Sequence, residues 1–455
     1  LRLPRFDRFL RRLGIGARSF ESAGGGSRWP LTASMPAPAR AALSAVPLTR
    51  SRANYLQANT GIGENIVATW ANSLIGDGPT VRSGHPSAAM RDALEDEWLQ
   101  AYDEIGLAGD DLTSVLSLAA RSLVGAGEAV LRFVTTEAGE VRVQVLQPEQ
   151  LDASVNRDLD GGGSIVAGVE FDRTGRIVAY HIRPSPDHAL TVPGAQRIPA
   201  DDICHLFERR WPGQVRGISW LAPVATRIVE LDALEDAGLV KAKTSALMCG
   251  FIRSLDGTGT VAADLAAVQP MEPGALTELP VGTDVSFTPT SDMQGLDAFT
   301  KHMVRSIAAG VGLPYALLSG DYSDSNYSSS RLAMQSYIRR VKAVRASILV
   351  SGFLRPLWQR VVTLAILSGR INASGFVREP RPLLSSEFLF PDFPHIAPLD
   401  ETKADALAVQ MGFRSRQEII AARGRDPVEV DAEIAADSFT PSNATNIVPL
   451  SNEAA

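Results

Sequence analysis

The chain has 455 residues, of which 45% are hydrophobic, 21% charged and 6% aromatic, with two cysteines and a formal net charge of −7. That composition is typical of a globular protein of several units and excludes a disordered, collagenous or disulfide-scaffolded one. Charge is uneven: residues 1–30 carry +5, residues 331–370 hold eight Lys or Arg and no acid, and the remainder carries −20, so an acidic body bears two basic surfaces suited to phosphate or acidic partners.

Residues 1–50 read as a basic arm. Its first segment, LRLPRFDRFLRRLGIGARSF, lacks the apolar core of a secretory signal, and Cys204 and Cys249 have no metal-type spacing, which together fit synthesis in a reducing compartment. Over residues 49–78, Ile62, Ile66, Trp70 and Leu74 share one helical face, and Gly76 and Gly78 mark the stop. Further helices are predicted over 88–102 and 112–124. The runs GEAVLRFVTT, EVRVQVLQ, GSIVAGVEFDRTGRIVAYHIRPS and ICHLFERR then read as strands joined by Gly, Asp and Pro turns, making residues 51–217 an α+β unit.

The pattern changes at residues 218–249, a long predicted helix with Ser219 as its cap and Val224, Ile228, Leu231, Glu235 and Leu239 along one side. Residues 250–290 hold only short extended pieces. Residues 291–314 return to a helix, with Ser291 and Gln294 in the spacing of a capping box, an apolar stripe of Leu296, Phe299, Met303 and Ile307, and Pro314 past the end. Two helices flanking a small insertion suggest a stalk with a knob. Nine consecutive Ser, Asn, Asp and Tyr residues follow at 321–329, and then a helix from Arg331 to about residue 350. On it, Tyr337, Val341, Val344 and Ile348 form an apolar stripe, while Arg331, Lys342 and Arg345, with Arg339 adjacent, form a cationic side. A second helix is predicted over FLRPLWQRVVTLAILSG, an extended connector over LFPDFPHIAPLD, two short helices over 400–436, and a disordered tail over 438–455. No uninterrupted apolar run reaches the roughly 18–20 residues of a membrane span, because Arg355, Pro356 and Arg360 break the most apolar stretch.

Catalytic signatures are missing. There is no phosphate loop, HExxH, EF-hand or GxSxG pattern, and the glycine runs at 24–26 and 161–163 lack the strand-to-helix setting that cradles phosphate. Cys204 and His205 alternate across a strand, so they read as a buried thiol and a satisfied histidine; His181 and His188 lack further ligands. Glu230, Asp232, Glu235 and Asp236 read as a solvated helix face. No cofactor, metal or catalytic residue is expected; a DNA-cleaving enzyme would need paired carboxylates around a divalent ion, and a generic helical adaptor would stay a small oligomer.

In order along the chain, NTGIGENIVATWANSLIGDG, RIPADDICHLFERRWPGQVRGISWLAP, GVGLPYALLSGDYSDSNYSSSRLA and FPHIAPLDETKADALAVQMGFRSRQEIIAARGRDP resemble segments of the lambda-type portal proteins of tailed bacteriophages. The resemblance runs from about Arg52 to Ala436, and its most specific piece is LSGDYSDSNYSSSR after GLPY. The first segment departs from the family's arginine-rich versions, having smaller and less basic residues on its loop side. The resemblance implies a non-enzymatic part, a homododecameric ring at one capsid vertex through which double-stranded DNA enters and leaves. It implies the terminase large subunit, head-completion or adaptor proteins, and major capsid and scaffold proteins as partners, no membrane, and a place in the virion after assembly in the host cytoplasm. It names the α+β unit (51–217) a wing, 218–249 and 291–314 two stem helices, 250–290 a clip, 315–331 a tunnel loop, 332–399 the long helices returning to the wing, and 400–437 a crown.

On that reading Tyr322, Ser323, Asn326, Tyr327, Ser328, Ser329, Ser330 and Arg331 form the channel loop, Arg339, Lys342 and Arg345 are candidate lumen cations, and Ile228, Leu231, Leu239, Leu296, Phe299, Met303 and Ile307 pack against neighbouring stems. The polar loop has a physical rationale: each persistent Lys or Arg contact to phosphate adds sequence-independent affinity, whereas Ser, Asn and Tyr exchange hydrogen bonds without gripping, and Asp321 and Asp324 repel.

Overall fold

A computed structural model describes residues 37–184, 194–246, 250–254, 283–287, 295–323, 326–373, 375–393 and 398–437. The chain enters through helix α1 (Pro38–Asn59) and turns at Thr60 into α2 (Gly61–Ile75). A single helix across 49–78 was expected; instead the Thr60 hydroxyl accepts the Gly63 amide at 3.1 Å and restarts the helix. Residues 38–50 therefore belong to the body, not to the arm. Gly63 lies so close to the Leu56 carbonyl that any side chain would collide with it.

Strand β1 (Thr80–Ser83), α3 (Ala88–Asp103) and α4 (Leu112–Gly125) follow, the last begun by Asp111, whose carboxylate accepts the Ser114 amide at 2.9 Å. Strands β2 (Glu128–Thr135) and β3 (Val141–Leu146) pair antiparallel, and β9 (Ile203–Phe207) pairs with the other edge of β2. Between β3 and β9 the chain builds a five-stranded antiparallel meander from β4 (Arg157–Asp158), β5 (Ser164–Val166), β6 (Val169–Phe171), β7 (Ile177–Ile182) and β8 (Gln196–Pro199).

Strand periodicity divides the interior in two. Val130 and Ile203 face a small core shared with Leu151 and with Val169, Tyr180 and Ile198 of the meander. Leu131, Phe133, Cys204 and Leu206 face the large core, where α2, α4 and the C-terminal helices pack. Cys204 is buried there, as expected, and its thiol is pushed up to about 12 by burial.

Helix α5 (Ala225–Ala246) starts later than Ser219, because the Ser219 hydroxyl accepts the Leu221 amide and residues 219–224 form tight turns that bury Trp220, Leu221 and Val224. Strands β10 (Gly250–Ser254) and β11 (Thr283–Phe287) form an antiparallel ribbon, and α6 (Leu296–Val311) leads back. The expected Ser291–Gln294 cap lies outside the described residues.

After α7 (Tyr315–Ser319) comes α8 (Tyr327–Val344). Two separate helices were expected here. Instead α8 runs on through a π-helical segment (Arg345–Leu354) into α9 (Arg355–Leu367). In it the Arg355 amide bonds the Val350 carbonyl, five residues back. That wider turn accommodates Pro356, which lacks an N–H and would crowd a regular helix. Trp358 of α9 packs on Trp98 of α3, with ring centroids 5.7 Å apart.

A short α10 (Arg381–Leu384) precedes β12 (Ser386–Leu389), which pairs with β1. The C-terminal region has three helices where two were expected: α11 (Pro398–Gln410), α12 (Arg416–Ala422) and α13 (Pro427–Ala436). Gly412 and Gly424, both at positive φ, separate them, and Ser415 and Asp426 cap the second and third.

Candidate functional site

The two stalk helices and the polar hook between α7 and α8 are the parts the sequence marks out. At the base of the stalk, Ile228 and Leu231 of α5 and Ile307 of α6 are buried within the large core of their own chain, and Met303 packs against it. These three buried residues are therefore unavailable to a neighbour, which corrects the expectation for them. Farther along, Leu239 is 53% exposed and Phe299 54% exposed, while Leu296 is half-buried beside Gly238. The apolar stripe thus begins as core and ends at the surface.

Helix α6 stops at Gly312, whose φ of 74° suits glycine. The carbonyl of Val311 in that last turn accepts Trp70 Nε1 at 3.3 Å and Arg340 Nη1 at 3.4 Å. Arg340 also lies over the Trp70 and Trp220 rings, 5.2 and 5.8 Å from their centroids. A cation at a helix C-terminus is favourable, and here it ties the stalk to α8. Sequence reasoning missed Arg340, although its place three residues from Tyr337 was visible.

The hook is shorter than the 315–331 loop that was expected. Residues 315–319 are the helix α7 and residues 327–331 already belong to α8, leaving 320–326 between them. Asp321 organises its first half: Oδ1 accepts the Ser323 amide at 3.0 Å and the Ser323 hydroxyl at 2.5 Å, and Oδ2 accepts the Tyr315 hydroxyl at 3.1 Å. Those donors, the Ser323 hydroxyl first, hold the Asp321 carboxyl down at about 2. Asn65 of α2 donates to the Leu318 carbonyl at 2.7 Å, and Arg305 of α6 stacks over Tyr315 at 5.0 Å. The hook is thus tethered to both body and stalk.

On the far side, Asn326 caps α8 by accepting the Ser329 amide at 2.8 Å. Tyr322, Ser323, Asn326, Ser328 and Ser329 are exposed, and Ser330 is half-buried. Tyr327 opens the helix, and Asp324 lies outside the described residues.

The four cations proposed for the channel, Arg331, Arg339, Lys342 and Arg345, have different surroundings. Arg339 is exposed; Lys342 is exposed with its amine 3.7 Å from Asp392; Arg331 is half-buried, 3.8 Å from Glu401. Arg345 is only 6% exposed. Its Nε and Nη2 donate to the carbonyls of Leu74 (3.0 Å) and Ser73 (2.9 Å), its Nη1 to that of Pro391 (3.3 Å), and the rings of Phe390 and Phe393 lie 4.6 and 5.4 Å away. Burial pushes its pKa down to about 10, so it stays charged at neutral pH. Arg345 thus caps the end of α2 inside the protein and is withdrawn as a lumen cation.

The phage portal protein pattern of the lambda family matches residues 27–345. The chain belongs to that family. A probable portal protein of Halomonas phage phiHAP-1 is 25% identical over 85% of this chain and 79% of its own length. Portal protein B of Escherichia phage lambda is 22% identical over 59% of this chain and 57% of its own length. Among solved structures, a chain from the neck of an empty gene transfer agent particle, computed with C6 symmetry, superposes with a TM-score of 0.51 at 19% identity, covering 82% of this chain and 94% of that one; this likeness bears on fold alone. The mixed helix-and-sheet portal fold agrees with the α+β class read from the sequence.

The family segments meet in space. The NTGIGEN segment supplies Asn65 to the hook and the end of α2 to Arg345. The RIPADDICHLFERRWPGQVRG segment supplies a buried ionic node that sequence reasoning missed. Glu128 of β2, wholly buried, accepts from Arg216 Nε at 2.9 Å, Arg50 Nη2 at 2.6 Å, His205 Nε2 at 2.9 Å and the Gly217 amide at 2.7 Å. Arg216 also donates to the carbonyls of Pro148, Leu151 and Ala167. Burial alone would raise the Glu128 pKa, but Arg216 and His205 hold it well below the carboxylate range, while burial lowers that of His205. The node joins α1, the central sheet and the meander at the point where the chain leaves for the stalk. His205 was expected to be satisfied, but it is paired at Nε2 alone, its buried Nδ1 having no hydrogen-bond partner among the described residues; His181 bonds Glu170 at 3.0 Å, and His188 lies outside the described residues. Among the described residues no group of three His, Cys, Asp or Glu could hold a metal ion, and no helix is long and apolar enough to cross a membrane.

Proposed function

We propose that this chain is the subunit of a ring of about twelve copies at one vertex of a phage-type capsid, a conduit for double-stranded DNA rather than an enzyme. The observation that carries this reading is the stalk of a portal-family chain whose apolar stripe is core at its base and more than half exposed at Leu239 and Phe299. An exposed apolar stripe on a helix pair suits packing against the next copy, so Leu239, Leu296, Phe299 and the outer face of Met303 are the residues we assign to subunit contact. The hook at 320–326 and the first turn of α8 face the axis in this reading. Their hydroxyls, amides and one well-ionised carboxylate keep a passing duplex hydrated without adding phosphate grip. Arg339, Lys342 and Arg331 are the cations we assign to centring it, two of them moderated by Asp392 and Glu401.

The β10–β11 ribbon at the end of the stalk is the surface we assign to the terminase large subunit and, later, to head-completion or adaptor proteins, with capsid and scaffold proteins around the wing; assembly takes place in the host cytoplasm. Replacing Ser328 and Ser329 with Lys tests the reading. Both are exposed, so rings should still form, while DNA packaging slows several-fold through added phosphate contacts. Packaging at the unaltered rate would remove the hook from the channel.

A further inference from the structure

Between α4 and the edge strand β3 lies a groove of about 590 Å³ that the portal reading does not use. Leu107, Leu118 and Val145 line it, with Asp110 and Ser114 at its side. Leu107 is 51% and Leu118 55% exposed, an unusual wetting of two leucines that face one cavity. The backbone beside it is open as well. Val143 turns both its polar groups away from β2, its amide to the Ile105 carbonyl at 2.7 Å and its carbonyl to the Leu107 amide at 2.9 Å. By strand alternation Val145 turns the same way, but the 105–107 segment has ended there, and no backbone partner for it occurs among the described residues. An apolar groove beside an open strand edge takes an extended peptide that adds as a strand and seats alternate side chains.

The charge of the rim narrows the choice. Asp110 is exposed at the side of the groove. The residues that precede the described body carry the opposite charge, with seven Arg against two acids over 1–30, and interleave them with Leu1, Leu3, Phe6, Phe9, Leu10 and Leu13. Reach is ample: α1 passes Glu149, four residues beyond Val145, where Arg50 Nε lies 3.9 Å from Glu149 Oε1. The residues before Ala37 could extend on the order of 100 Å. We propose that this groove is the docking site of the chain's own N-terminal arm within residues 1–36, which adds to the open end of β3 with a leucine or phenylalanine seated between Leu107 and Leu118.

The test uses the full chain with a benzophenone amino acid in place of Leu118, irradiated and mapped by mass spectrometry, with labelled and unlabelled chains mixed before assembly. Adducts to residues 1–36 of the same copy are expected. Adducts to the arm of a differently labelled copy, to another protein, or to none would overturn the assignment. In parallel, tryptic cleavage of the arm should be about tenfold faster in a Leu107→Asp/Leu118→Asp variant than in the parent. Both leucines are more than half exposed, so the melting temperature should be little changed; equal cleavage rates in parent and variant would also overturn the proposal.

Discussion

Replacing Arg345 with Met keeps an unbranched apolar stem in its place and removes the guanidinium from the end of α2. The carbonyls of Ser73, Leu74 and Pro391 lose charge-assisted donors, at about 1.5 kcal/mol each. Stacking against Phe390 and Phe393 contributes about 1 kcal/mol more. Relief from keeping a charge buried returns about 2 kcal/mol. The net loss is therefore about 3–4 kcal/mol, and Arg345→Lys should recover only part of it, because an ammonium cannot span three carbonyls in a plane. Urea unfolding followed by tryptophan fluorescence measures the loss, and hydrogen exchange should show lost protection at the end of α2. A loss under about 1 kcal/mol, the range of a surface charge, combined with weakened DNA retention, would refute the burial and restore Arg345 to the channel.

Glu128→Gln leaves Arg216 buried without a counter-charge and Arg50 with only the half-exposed Glu149, 3.9 Å away, and should lower unfolding stability by about 3–5 kcal/mol in the same urea assay. His205 sits below its unfolded pKa because of burial; the unfolded chain therefore takes up the proton first, and stability should fall as pH drops below about 6.5. Stability that rises on acidification through that window would contradict a buried neutral His205. Asn326→Ala should cost about 1 kcal/mol of local stability at the start of α8, read as faster amide exchange over residues 327–330 with the body unaffected.

How much of this was legible depended on how local each cause is. The Asp111 cap and the length of α4 follow from neighbouring residues, as does the alternation that sends Cys204 and His205 to opposite faces. Ser415 and Glu418 also have the spacing of a helix start, so the third C-terminal helix could have been read; the short turn at Gly412 hid it. The break at Thr60 was less accessible, because an apolar stripe continues across it from α1 to α2. Arg345 could not be placed by periodicity, since on a wheel it falls among cations, and its partners at Ser73 and Leu74 are over 270 residues away. The Glu128 node is equally non-local: its charges come from α1, β2, β9 and the turn before the stalk. The hook is legible in composition and family resemblance, but its tether through Asp321, Tyr315 and Asn65 joins residues up to 253 positions apart, which no local pattern reveals.

Electron microscopy of the purified protein, with native mass spectrometry of the same sample, tests the central claim most directly. The account expects closed rings of about twelve copies around an open axial channel, with Leu239 and Phe299 shielded from solvent labelling only in the ring. A chain that stays monomeric at high concentration and across salt conditions, with those two side chains still labelled, would contradict it.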